Sequence, residues 1–569
     1  MDVSQNLVQR FANFSAREPN KMALIEPILA DGIPFEAVEP TLKLAPRISR
    51  TSSVENYNER IWSYGDIRHL VMAYQSRLRS VALEKGDRVI ILIPASVRMY
   101  ALAAACFAEG IIPVFIEPTM KRKCFLRCIV SVKAKAVFSV DRFFKFRWLM
   151  PVFEPRLLLT FLKMQLFTID RRRFGVRSWS EIAVTSPSFE EEFKFVDVKP
   201  TDECLITFTT GSTGHPKAAD RCLNVLFYQR EISKAIWTES LADIEMSAFP
   251  LVVLNNLAFG VTTVLPMMTG PKVTDISVES IARQIERHGV QRLLAPPSFL
   301  QKICREGAPY RERFQCLQRV LTGGAPTPKW LMTDIQGFFT ESECFLVYGS
   351  TEAEPIAHCN FNDALSGDGR GYLVGFPIPE ISVHIVSPQH GPDRVLPQGA
   401  VGEILLSGRH VVRRYLFNEG ENQKSKPQDL QGRVWHRTGD TGYFDRWGRL
   451  WITGRIKDRI QIGGRVLDAY AIEHDLENLL KRRVALIPTA RSFRVFVESA
   501  LQGGSGKTTE TIELENNDRR LLQAKLREYF GSMTPRISHL SSLPVDSRHQ
   551  WKIDRKSLRE QALSDKFDL

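Results

Sequence analysis

Thr209-Thr210-Gly211-Ser212-Thr213-Gly214-His215-Pro216-Lys217 follows an apolar run from Cys204 to Phe208 that reads as a strand. Gly211 and Gly214 permit turns that a Cβ would obstruct. Hydroxyls and successive backbone N–H groups can surround an anion there, with Lys217 supplying a point charge. The stretch departs from the GxxxxGK[ST] phosphate loop, since Ala218 follows the lysine. Taken alone it reads either as a phosphate cradle or as a solvated turn at a strand end.

The chain has 569 residues, too many for one ordinary core, and its length suggests roughly two to four domains. An apolar fraction of 44% argues for globular folding. Lys and Arg exceed Asp and Glu by 76 − 64 = 12, which favours anionic partners without selecting among lipid, nucleic acid and phosphorylated substrates. The first residues lack the basic and apolar regions of a signal peptide, and no run is long and apolar enough to span a bilayer. Nine cysteines are spread singly without CxxC spacing, so a reducing, cytoplasmic setting is expected rather than a disulfide scaffold or structural zinc site.

Outward from the opening stretch, Val89–Ile93 reads as a strand, Arg98–Glu109 as a helix and Ile111–Phe115 as a strand, the order of a parallel α/β layer. Residues 142–164 are basic and aromatic: a surface helix packed on the core, or a peripheral membrane or acyl contact. No zinc-finger or RNP-type pattern accompanies them, so no specific nucleic-acid partner is expected. Ala248–Leu254 and Val261–Met267 read as buried strands or pocket-forming turns around Asn255, Asn256 and Gly260. His288–Pro297 passes from a helical pattern to an apolar run stopped by proline, and Val320–Pro326 repeats the strand-then-turn logic at Gly323 and Gly324. Leu346–Glu352 is a further strand approaching polar groups. Here Tyr348 can cover an adenine, Thr351 can bond phosphate and Glu352 can hold hydrated Mg²⁺.

Gly399–Leu406, Trp435–Asp440 and Gly442–Leu450 alternate turns with aromatic or branched residues, as in a small antiparallel layer. A hinge is expected around Gly454–Gln461. Beyond it the pattern predicts helices at Ala471–Lys481 and Asp518–Tyr529 and strands before Gly503. Gly503–Thr509 imitates a phosphate loop, but Leu501 stands where its first glycine belongs, and a hairpin or exposed turn is the better reading. Near the end Lys552 sits in a charged run, on a region small enough to move.

In this order, Thr209–Lys217, Gly323–Pro326, Tyr348–Glu352, Arg437–Asp440, Gly454–Asp458 and Lys552 resemble the adenylate-forming superfamily that includes acyl-CoA ligases, peptide-synthetase adenylation domains and firefly luciferase. The resemblance implies an α/β fold in two parts: a large N-terminal region, residues 1–456, and a small mobile α+β C-terminal domain, residues 457–569, with the hinge near Lys457. It implies ATP and Mg²⁺ as cofactors. Thr209, Thr210, Gly211, Ser212, Thr213, Gly214 and Lys217 would handle phosphates, and Gly323, Gly324, Ala325, Tyr348 and Gly349 would surround adenine. Thr351 and Glu352 would position phosphate and metal, Asp440 would hold the ribose, Arg455 is the motif arginine, and Lys552 would act during adenylation. Lys552, Lys217, Thr351 and Glu352 form the implied catalytic set.

A narrower resemblance is to bacterial β-lactone synthetases of the long-chain olefin pathway. It rests on Glu117-Pro118-Thr119-Met120, Leu126-Arg127-Cys128, Phe249-Pro250-Leu251, Leu294–Phe299, Tyr348–Pro355 and Pro544–His549 before Lys552-Ile553. Val253 stands about where many acyl-CoA ligases carry histidine. Glu117, Glu354 and Gln461 depart from the usual residues of their motifs. The implied reaction is ATP-dependent closure of a long-chain 2-alkyl-3-hydroxy fatty acid to a β-lactone, with olefin-pathway enzymes as partners; long-chain acyl-CoA ligation is the alternative. His358, six residues beyond Glu352, reads as a pocket histidine or a local base.

Overall fold

Strand, helix and strand follow one another as the apolar runs prescribe: Arg88–Leu92, Val97–Ala108 and Ile112–Phe115 form a parallel crossover whose helix is buried along nearly its whole length. In a computed structural model the described residues are 7–29, 47–49, 57–145, 154, 156–170, 176–182, 191–210, 216–237, 244–462, 464–489, 493–499, 516–532, 535–546 and 550–563. The Gly211–His215 centre of the opening stretch, Gly463, the 503–509 loop and residues 146–153 of the basic aromatic stretch lie outside them.

Among the described residues two large sheets carry the N-terminal region. The first combines parallel strands, among them Ile244–Ser247, Arg292–Leu294, Arg319–Gly323 and Glu343–Ser350, with the antiparallel strands Ala353–Asn360, Tyr372–Pro377, Leu450–Arg455, His436–Phe444, Gly402–Gly408 and Ile381–Val386. The antiparallel strands expected as a separate small layer are therefore continuous with the parallel block. Glu343–Ser350 is the seam, parallel to one neighbour and antiparallel to the other. Close strand packing there requires Gly323, where a Cβ would lie 2.5 Å from the Val347 carbonyl oxygen. The second sheet joins Ala136–Ser139, Arg88–Leu92, Ile112–Phe115 and Glu203–Thr210 in parallel and ends in antiparallel Pro216–Cys222 and Tyr415–Leu416.

Buried Glu26, on the first sheet, links it to the second layer. Its carboxylate accepts from Trp62 Nε1 at 3.0 Å and from the Val97 N–H at 2.9 Å, one of the donors that a helix N-terminus leaves unpaired.

One expectation fails locally. Pro250–Phe259 is a helix, not a strand or pocket turn: Pro250 occupies the first turn, where its missing N–H costs nothing, and Gly260 at φ +80° terminates it. Val253 is fully buried in that helix, and Thr262–Val264 beyond it is a strand. Within 142–164, Arg156–Lys163 is a helix that buries Leu157 and leaves Leu159 and Leu162 exposed. No helix of the described residues is long and apolar enough to cross a membrane.

Past the short 3₁₀ turn Ile456–Asp458 the chain builds separate sheets and cores. Val484–Pro488 and Phe493–Glu498 pair antiparallel, and Arg536–Leu540 adds in parallel. Helices Ala469–Leu480, Asn516–Phe530 and Arg555–Leu563 pack with this α+β unit. In the antiparallel part of the large sheet, Gly375 on Tyr372–Pro377 has φ +90° and a Cβ would collide with the His358 carbonyl. Gly375→Ala is expected to cost about 2 kcal/mol or more, read as a lowered urea midpoint of the N-terminal transition.

Candidate active site

The strand Glu203–Thr210 and the strand Pro216–Cys222 form a hairpin in which Lys217 lies opposite Thr209 and Pro216 opposite Thr210. The opening stretch is therefore the connection of a β-hairpin, not a strand-to-helix phosphate loop. Lys217 is 9% exposed; its ammonium meets the Glu421 carboxylate and lies 5.1 Å from the centre of the Tyr415 ring. Ser425 Oγ also donates to Glu421.

Glu352 follows the strand Glu343–Ser350 in the turn to Ala353–Asn360, and its carboxylate crosses to the other sheet. Oε1 accepts from Tyr415 Oη at 2.7 Å and from Thr209 Oγ1 at 3.3 Å, while its backbone carbonyl accepts from the Val412 N–H at 2.7 Å. Burial pushes this carboxyl up, but His436, Lys426 and the Tyr415 hydroxyl outweigh it and hold the group at about 2. Burial also dominates its basic neighbours. It brings Lys426 down to about 7 against the pull of Glu352, and with the Lys426 charge it brings His436 down to about 3. Lys426 donates to the Val412 carbonyl and lies 4.9 Å from the Tyr415 ring centre. Thr351 is half-buried in the same turn.

A second cluster gathers a few residues back along the same strand. Tyr348 Oη donates to Asp440 Oδ2 at 2.8 Å, and Arg455 Nε meets Asp440 Oδ1 at 2.8 Å, across paired positions of adjacent strands. Burial first, and then the Asp440 charge, push the Tyr348 phenol well above its usual range, so it stays a neutral donor. The Asp440 carboxylate raises the Arg455 guanidinium. Lys552, from the C-terminal part, enters this group: the Arg455 charge, then burial, lower its ammonium to about 8, with Asp440 pulling the other way. Gly323, Gly324 at φ +85° and Ala325 end the neighbouring parallel strand. Gly349 sits at the seam, where an added Cβ would lie 3.4 Å from the Ala353 carbonyl oxygen and from Glu354 Cγ, ordinary contact distances.

Tyr348 and Glu352 are four residues apart on one chain, at most about 13 Å when extended. The two clusters thus lie along the carboxyl end of the parallel strands, where open α/β sheets place their ligands. Thr209, Lys217, Thr351 and Glu352 come together on one side; Tyr348, Asp440, Arg455 and Lys552 on the other. Gly211, Ser212, Thr213 and Gly214 lie outside the described residues.

Lys426, His436, Tyr415 and Glu421 escaped the sequence reading. His436 falls in the Trp435–Asp440 run, read only as part of a small antiparallel layer, and the chain between Leu406 and Trp435 offers no motif. His358 pairs with Val347. Strand alternation therefore places its side chain on the face opposite Tyr348.

A family model described as AMP-binding enzyme matches residues 46–416. The chain belongs to the AMP-binding enzyme family. It is accordingly an ATP-dependent, adenylate-forming ligase of an acyl substrate, and its match takes in the hairpin, Glu352 and Tyr415. An olefin β-lactone synthetase of Stenotrophomonas maltophilia is 25% identical over 85% of this chain and 88% of its own. The acyl-CoA ligase SID4 of Ajellomyces capsulatus is 26% identical over 73% of this chain and 72% of its own. The fold is shared with the o-succinylbenzoate CoA synthetase of Bacillus subtilis in complex with ATP and magnesium, at a TM-score of 0.68 and 18% identity over 97% of this chain and 99% of the other.

For this AMP-binding enzyme the depressed Glu352 carboxyl has a stability consequence. Lowered from 4.5 to about 2, it contributes stability that is present above pH 4.5 and is lost as pH falls toward 2. Glu352→Gln removes that contribution, so the urea midpoint of the variant should decline less steeply than the wild type's as pH is lowered below 4.5.

Proposed function

We propose that the enzyme activates a long-chain 2-alkyl-3-hydroxy fatty acid as its acyl adenylate and closes it to a β-lactone. The observation that carries the adenylation chemistry is the cluster in which Tyr348, on the strand that leads to Glu352, donates to an Asp440 carboxylate held by Arg455, with Lys552 close enough to feel both charges. Support for lactone closure comes from the resemblance to the β-lactone synthetase relative, 25% identical over 85% of the chain, and from Val253, an apolar residue packed in the core about where many acyl-CoA ligases carry histidine.

In this reading the 209–217 hairpin and Lys217 take the ATP phosphates, with Lys217 leaving Glu421 as they arrive. Gly323, Gly324, Ala325, Tyr348 and Gly349 enclose adenine, and Asp440, held by Arg455, receives the ribose hydroxyls. The substrate carboxylate attacks the α-phosphorus, the bond to the β-phosphate oxygen breaks, and pyrophosphate departs. Lys552 and Lys217 stabilise charge on the reacting oxygens, and Thr351 bonds phosphate. The 3-hydroxyl oxygen then attacks the acyl carbonyl and displaces AMP, its proton passing to a base in solvent; intramolecularity offsets much of the encounter cost. Residues 457–569 act as a mobile domain hinged near Lys457, which brings Lys552 to the site.

The donor set fits Mg²⁺ carried by ATP: one depressed carboxylate, Glu352, beside the hydroxyl of Thr209 suits an ion that keeps its waters and phosphate ligands, and the described residues hold no cluster of His, Cys, Asp or Glu able to cage a metal. When bound, the ion supplies charge neutralisation on the phosphates. The basic, partly exposed helix Arg156–Lys163 is the surface read here for peripheral membrane contact, and olefin-pathway enzymes are the proposed partners.

Two measurements test the reading. Incubation with ATP, Mg²⁺ and matched 3-hydroxy and nonhydroxy acids, with and without CoA, should give from the hydroxy acid a product lacking one water without CoA; formation of a CoA conjugate alone makes the acyl-CoA ligase reading correct. Lys552 should also impose an upper pH limit. Its ammonium is required, so kcat/KM for ATP, which reports the free enzyme, should fall as pH rises through about 8. Arg455→Gln removes the main charge that depresses Lys552 and should move that limit to higher pH.

A further inference from the structure

The residue before Lys552 is built into both parts of the molecule. Trp551 is 4% exposed, and of the buried residues beyond Asp458 only Tyr470 and Trp551 join the apolar core of the N-terminal region, among the described residues. Its indole N–H donates to the Pro326 carbonyl oxygen at 2.7 Å, and its ring lies 6.4 Å from that of Trp330. Pro326 closes the Gly323–Ala325 turn, and Trp330 opens the helix that follows it.

On its other side Trp551 is held by the C-terminal part. Arg483, itself 7% exposed, places its guanidinium 4.4 Å from the centre of the indole and donates to the Trp551 carbonyl. Lys552 is then fixed through its main chain. Its N–H donates to Asp546 Oδ1 at 3.0 Å, and its carbonyl accepts from the Asp546 N–H at 2.7 Å. These bonds hold the lysine backbone within its own domain. The indole bond to Pro326 is what ties that backbone to the turn at the nucleotide side.

We infer that Trp551 is a positioning residue for the adenylation step: by docking its indole N–H on the Pro326 carbonyl it seats the Lys552 backbone beside the Gly323–Pro326 turn. The inference rests on the reading of Lys552 given above. A long, rotamer-rich lysine gains most when its backbone is placed before substrate arrives, because a displacement of the main chain by an ångström carries the ammonium away from the reacting oxygens. The same contact is lost whenever the C-terminal part turns away from the Gly323–Pro326 loop, so its influence is confined to the reaction that uses Lys552.

The test uses full-length Trp551→Phe, which keeps an apolar aromatic ring while losing the donor and part of the buried ring volume, beside wild type and Lys552→Ala. Three readings are taken: ATP–pyrophosphate exchange driven by the acid substrate, consumption of a chemically prepared 3-hydroxyacyl adenylate, and the thermal unfolding midpoint. Trp551→Phe is expected to lower the exchange rate about fivefold to tenfold, the scale of one buried hydrogen bond, with adenylate consumption unchanged and the unfolding midpoint still well above the assay temperature. An equal fall in both half-reactions, or a midpoint so low that the variant is partly unfolded at the assay temperature, makes Trp551 a packing residue and overturns the inference. Unchanged exchange in Trp551→Phe with collapse in Lys552→Ala overturns the inference and leaves the role of Lys552 standing. Full exchange in Lys552→Ala overturns both.

Discussion

The buried carboxylate of Glu352 is the interaction on which the two large sheets depend. It leaves the turn after Glu343–Ser350, in the first sheet, and takes hydrogen bonds from Thr209 and Tyr415, in the second. A carboxylate removed from water is costly unless cations and hydrogen-bond donors surround it. Here Tyr415, Lys426 and His436 do so well enough to hold it at about 2. The compensation has its own consequence: burial first, and for His436 then the Lys426 charge, bring Lys426 and His436 far below their ordinary values. With His436 held neutral and Lys426 easily deprotonated, the ammonium of Lys217, paired with Glu421, is the cation that the described residues on this side of the site offer to an incoming polyanion.

The second cluster obeys the same electrostatics with the sign reversed. Each oxygen of Asp440 already has one partner, Tyr348 or Arg455, and the lysine arriving from the C-terminal part feels the guanidinium more strongly than the carboxylate. Lys552 is therefore held in place by packing and main-chain bonds more than by attraction at its ammonium. That is why the contacts of Trp551 and Asp546, remote from the charged end, carry weight in placing it.

Much of this was legible in the chain. The strands that end in Gly323 and Ser350, the helix of residues 469–480 and the separation of the last hundred or so residues follow from apolar runs and glycine punctuation, which are local properties. The helix Pro250–Phe259 was misread because a short run apolar on all sides has no period to distinguish helix from strand; Pro250 at its first turn was the usable signal. The hairpin geometry of Thr209–Lys217 and the continuity of the antiparallel strands with the parallel block were hidden for another reason: strand partners are set by distant segments.

By itself the sequence determined which residue types stand at each strand end, the order of the nucleotide motifs and hence the class of chemistry, because those features reside in contiguous residues. Only the tertiary structure decided that Lys426 and His436 surround Glu352, that Lys217 rests on Glu421, that His358 faces away from Tyr348, and that Trp551 joins Lys552 to the Pro326 turn. These are contacts between segments tens to hundreds of residues apart. Their energies come from burial and from charges brought into one dry volume, and neither exists until the chain has folded.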